Sequence, residues 1–134
     1  MPSIIGIEGI GPQYAKTLSE IGIKTTEALL KQGATPKGRK IIEEKTQIGH
    51  KLILEWVNLA DLFRIKGIGE EYSDLLEEAG VYSVVELSKR NIENPFAKVN
   101  EVNKEKKLVR RPPALSMVIS WIEQAKKLDR VIEY

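Results

Sequence analysis

At 134 residues, with 42% hydrophobic and 30% charged side chains, the chain suits one compact domain or two small ones packed together, and whole-chain disorder is excluded. It has no cysteine and one histidine, His50, which excludes disulfides, thiolate nucleophiles and Cys- or His-rich metal sites. The net charge of +2 says little by itself, but no apolar run approaches the roughly 20 residues needed to cross a bilayer and no basic-then-apolar leader opens the chain, so a cytoplasmic protein with no membrane partner is expected.

In chain order, Pro2-Ser3-Ile4-Ile5-Gly6-Ile7 is a short apolar lead, too brief to be helical without packing from elsewhere. Ile7-Glu8-Gly9-Ile10-Gly11 follows, a Gly-x-Gly turn. Pro12 then stands where a first helical residue costs nothing, and a helix is predicted to about Ile21, stopped by a left-handed Gly22. Thr25 is positioned to cap a short helix ending at Gly33. Thr35-Pro36 repeats the device and opens a basic helix to about Lys45. From about His50 to Ile65 a wide apolar face built on Leu52, Trp56, Leu59 and Phe63 predicts a longer helix, with His50 as its solvated first residue.

The second half replays this order. Ile65-Lys66-Gly67-Ile68-Gly69 is the second Gly-x-Gly turn, with helices predicted at about Glu70 to Ala79 and from the Ser83 cap to Lys89. Asn94-Pro95 opens a helix to about Lys106, Pro112-Pro113 interrupts, and a last helix runs from Ala114 or Leu115 to Leu128. Residues 7–31 and 65–89 align without a gap at 10 identities in 25 positions, and Trp56-Val57 matches Trp121-Ile122 on the later helices. The fold class expected is therefore all-α, built of two repeats of about 60 residues, 1–62 and 63–134, packed into one compact unit. Arg130 to Tyr134 and Ser3 to Gly6 are rich in β-branched residues, and a short strand pair between the termini is expected. Trp56 and Trp121 could stack on bases, but their matched places on apolar faces predict core, and Tyr14 and Tyr72 are expected to face inward.

Charge is unevenly distributed. Residues 31–45 carry a net +3, residues 98–111 a net +4, and residues 67–80 a net −5 from Glu70, Glu71, Asp74, Glu77 and Glu78. The basic stretches suit phosphates, each of which releases counterions when neutralised; a solvated helix face is the competing reading.

Helix, tight Gly-x-Gly turn, helix resembles the helix-hairpin-helix motif of proteins that hold DNA without reading its sequence. Glycines let the backbone approach a phosphate, and the amides opening the next helix lack internal partners and lie at the positive end of its dipole. Such contacts position a protein but carry no base identity. The chain further resembles, end to end and notably through Ala60 to Tyr72, an uncharacterised family of tandem helix-hairpin-helix proteins, a domain of unknown function. The resemblance implies backbone contacts at Gly9, Ile10 and Gly11 assisted by Lys16, and matching ones at Gly67, Ile68 and Gly69 beside Lys66. Glu70 and Glu71 favour their own helix dipole and repel DNA, so the first copy is the better phosphate site. Lys37, Arg39 and Lys40 are the further candidates. Lys37 to Asn58 also weakly resembles a helix-turn-helix, with Glu43 and Gln47 where a small residue and a glycine are usual.

Nothing marks an enzyme: no Cys or His pair, no Walker loop, no carboxylate cluster distinct from surface charge, and no lysine singled out as a nucleophile. The expectation is a non-enzymatic module binding nucleic-acid backbone, DNA before RNA, without cofactor or metal. The competing expectation is a protein interaction or self-association module that uses the acidic helix after Gly69.

Overall fold

A computed structural model of the chain describes residues 3–89, 100–101, 103–104 and 113–134. The described chain is mostly helical, with no strand or sheet: α1 is Pro12–Glu20, α2 Thr26–Gln32, α3 Pro36–Thr46, α4 His50–Leu62, α5 Glu70–Glu78, α6 Val84–Ser88 and α7 Leu115–Lys127. It divides into two compact units, Met1–Asp61 with Val131–Tyr134, and Leu62–Arg130. Asn100, Glu101, Asn103 and Lys104 are helical, while most of the helix expected after Asn94-Pro95, the 108–112 break and much of the second basic stretch lie outside the described residues.

Helix boundaries follow local chemistry. The Thr25 hydroxyl accepts from the Ala28 amide at 3.1 Å and the Thr35 hydroxyl from the Gly38 amide at 3.0 Å, each satisfying a donor the helix leaves open. Ser83 caps α6 in the same way, accepting from Glu86 at 3.2 Å. Beyond α1, Gly22 takes φ +86° and the Ile23 amide reaches back to the Leu18 carbonyl at 2.9 Å; beyond α5, Gly80 takes φ +91° and Val81 reaches Leu76 at 2.8 Å. Both are left-handed stops that consume a terminal carbonyl.

In the first unit Ile4, Ile7, Ile10, Leu18, Ile23, Leu29, Ile42, Ile53, Trp56 and Val57 are all buried. In the second, Ile65, Ile68, Leu75, Leu76, Val84, Leu87, Val118, Trp121 and Ile122 form one apolar cluster, with α6 packed on α7. Both tryptophans are core, at 1% and 2% exposure, which removes them as base-stacking platforms.

Three expectations are corrected, the first being Leu52, which is exposed on α4 while Ile53 and Val57 are buried. The strand pair between the termini does not form. Ser3 instead makes an isolated antiparallel bridge with Thr25 and caps a 3-10 turn at Ile4–Gly6, and the Glu133 amide donates to the Ala34 carbonyl at 2.7 Å. With the lead coiled into a turn, its edge cannot receive the tail. Tyr14 is not inward facing: it is 38% exposed, with one face against Trp56 at a centroid distance of 5.1 Å and a tilt of 58°. Tyr72 sits on Trp121 at 5.2 Å and 54° and is half-buried.

Candidate nucleic-acid interface

Each Gly-x-Gly turn is shaped by an isoleucine that plugs inward and a glycine that permits the reversal. The Ile10 amide donates to the Ile7 carbonyl at 3.1 Å, and the Ile68 amide to Ile65 at 3.2 Å. Gly9 and Gly67 take φ +94° and +98°, conformations that cost any residue with a Cβ about 1–2 kcal/mol. Space is short there too. A Cβ on Gly9 would stand 3.2 Å from the Trp56 indole nitrogen, and one on Gly67 would stand 3.0 Å from that of Trp121. Ile10 and Ile68 are buried and their amides are spent within the turn, so neither is open to a phosphate as the resemblance implied, while Gly9, Gly11, Gly67 and Gly69 are exposed.

Gly11 and Gly69 are the N-cap residues of α1 and α5, both in extended backbone and both without a side-chain cap. A Cβ at either would meet nothing within 4 Å, so each looks onto open space. The amides left open by the helix, those of Gln13 and Tyr14 in α1, where Pro12 has none, and those of Glu70 and Glu71 in α5, are donors at the positive end of a helix dipole. The surroundings then diverge. The first turn of α1 is Pro12-Gln13-Tyr14 with no acidic residue, and Lys16 is exposed two residues further on. The first turn of α5 holds Glu70 and Glu71.

A second divergence lies behind the turn. Gln124 of α7 clamps the Lys66 backbone: its Oε1 accepts from the Lys66 amide at 2.9 Å and its Nε2 donates to the Lys66 carbonyl at 3.2 Å. Its counterpart, three residues after Trp56, is Leu59, whose buried side chain has no polar atom to offer. Gln124 escaped the sequence reading, although a glutamine in the place of Leu59, three residues after the matched tryptophan, was the available signal.

The basic candidates on α3 separate into two kinds. Lys37 and Lys40 are exposed. Arg39 is 8% exposed, and its guanidinium donates to the Gly33 carbonyl at 2.9 Å, the Ala34 carbonyl at 3.3 Å and the Glu133 carbonyl at 2.8 Å. Burial pushes its pKa below the ordinary arginine value, while Tyr134 acts in the opposite direction. Arg39 and Lys40 border a shallow groove of about 220 Å³ with Pro36, Glu43, His50 and Leu54; no residue of the first turn lines it. His50 is solvated, as expected, with its Nδ1 4.0 Å from Glu43 Oε2. Among the described residues no His, Cys, Asp or Glu group is arranged to hold a metal, and no helix is long and apolar enough to cross a membrane.

The family model described as Domain of unknown function (DUF4332) matches residues 8–128, which span both turns and both tryptophans. Comparison with curated proteins and with solved structures finds no match.

Proposed function

The chain belongs to the DUF4332 family, and for it we propose a non-enzymatic module that grips nucleic-acid backbone without reading sequence, DNA being the expected ligand. In this reading the two turns are helix-hairpin-helix elements of a duplicated unit of about 60 residues. The observation that carries it is the start of α1: an exposed, uncapped helix N-terminus behind a Gly-x-Gly turn, open space at Gly11, no carboxylate in the first turn, and Lys16 nearby. A phosphate oxygen there would accept from the Gln13 and Tyr14 amides, Pro12 having none, with the helix dipole and one ammonium adding to the attraction. Lys37 and Lys40 supply further salt-dependent attraction; Arg39, with its donors on three carbonyls, does not.

The start of α5 has the same backbone with Glu70 and Glu71 in front, and it favours a second reading in which this acidic helix docks a basic protein surface. Fluorescence anisotropy with labelled duplex and single-stranded DNA, at about 50 and about 200 mM salt, separates the two. Binding that weakens steeply with salt is the expected result. No binding to either probe at the lower salt would end the nucleic-acid reading.

A further inference from the structure

The last four residues, Val131–Tyr134, group with Met1–Asp61 rather than with α7, which precedes them in the chain. They have neither helix nor strand conformation, yet three consecutive residues, Ile132, Glu133 and Tyr134, are each held. Glu133 is gripped through its backbone from both sides: its amide donates to the Ala34 carbonyl at 2.7 Å, and its carbonyl accepts from Arg39 Nη2 at 2.8 Å. Ile132, one residue before, is buried. Tyr134, one residue after, donates its hydroxyl to Asn58 Oδ1 at 2.7 Å and lies with its ring 6.0 Å from the Arg39 guanidinium, although 57% of the residue is exposed.

The receiving surface is organised from its own side. Arg39 Nη1 is fixed on the Gly33 and Ala34 carbonyls, which aims Nη2 outward at the tail. Its acceptors among the described residues are carbonyls, and one of the three is brought to the buried cation from 94 residues away. Backbone hydrogen bonds at one residue, flanked by side-chain recognition on either side, are how extended peptides are bound: the main chain gives affinity and the alternating pockets give selectivity.

We propose that the surface presenting Ala34, Arg39 and Asn58 is a recognition site for an extended peptide of the pattern apolar-x-tyrosine, filled in the resting chain by its own Ile132-Glu133-Tyr134. The site is independent of the nucleic-acid reading. A tethered segment occupies such a site at an effective concentration on the order of millimolar, so an outside peptide enters only when the tail is disabled.

The test uses full-length chains and a fluorescein-labelled peptide with the sequence of residues 129–134, followed by anisotropy. Ile132→Asp sets a carboxylate where the chain buries an isoleucine and so disables the tail from within the chain, and this variant is expected to bind the peptide saturably. Wild type should bind it at least about tenfold more weakly, because its own tail competes. Adding Arg39→Ala to the Ile132→Asp chain should abolish binding, and a peptide carrying Asp in place of the isoleucine should not bind at all. Tyr134→Ala, which removes an exposed side chain and leaves the core untouched, is the second variant and should bind to an intermediate degree. Failure of both variants to bind saturably, or equal binding by all chains including the one with Arg39→Ala, overturns the proposal.

Discussion

Gly9 and Gly67 take almost the same left-handed φ, and each lies against the indole nitrogen of a buried tryptophan. The helices that follow nevertheless open on Pro12-Gln13 in one half and Glu70-Glu71 in the other. Backbone shape at such a turn is fixed by a glycine, an inward isoleucine and an indole beneath. The charge presented in front is set by exposed positions that the core does not constrain. Under the proposed reading, one geometry serves an anion in one half and repels it in the other, so that likeness of fold between two turns would not carry likeness of function.

The largest effects test whether the two scaffolds are equivalent. Trp56→Ala and Trp121→Ala each empty a buried indole site and should cost about 3–5 kcal/mol, read as a lowered urea midpoint. A loss confined to one of them would break the equivalence. Replacement of Gly9 or Gly67 by alanine should cost about 1–2 kcal/mol at either turn, since the strain is the same in both.

Smaller effects sharpen the difference in charge. Arg39→Ala removes a buried charged donor from three carbonyls and should lower stability by about 2 kcal/mol in thermal melts. Lys37→Ala with Lys40→Ala should leave the melt within about 0.5 kcal/mol and lower the salt dependence of DNA binding by up to about two counterions. In the second half, Glu70→Pro with Glu71→Gln copies the first turn of α1. It should raise DNA affinity about threefold or more at low salt, the gain shrinking as salt screens the charges removed. No gain from that double substitution would mean that the α5 N-terminus is closed to phosphate for a reason other than its carboxylates.

Much of this scaffold was legible because it is local. Thr25, Thr35 and Ser83 act within three residues of themselves, Gly22 and Gly80 stop the helices they follow, and the tryptophans announce their burial by periodicity. What escaped depends on partners distant in sequence. Arg39 reads as one more cation of a basic helix, and only the fold brings it the Glu133 carbonyl. The tail reads as a strand because Val131 and Ile132 are β-branched, yet in the fold it meets Ala34, while the N-terminal lead bonds to Lys24 and Thr25 and turns as a 3-10 helix. Tyr14 falls on the apolar stripe of α1 but sits at its first turn, where one face of the ring covers Trp56 and the other looks outward.

The unequal use of two like turns is tested most directly by substituting valine at Gly11 and, separately, at Gly69. Both positions are extended and open, so neither substitution should disturb the fold, which circular dichroism checks. Anisotropy with a labelled duplex at low salt should then show Gly11→Val losing about tenfold or more in affinity, about 1.4 kcal/mol, with Gly69→Val unchanged. Equal losses at the two positions, or none at Gly11, would contradict the account.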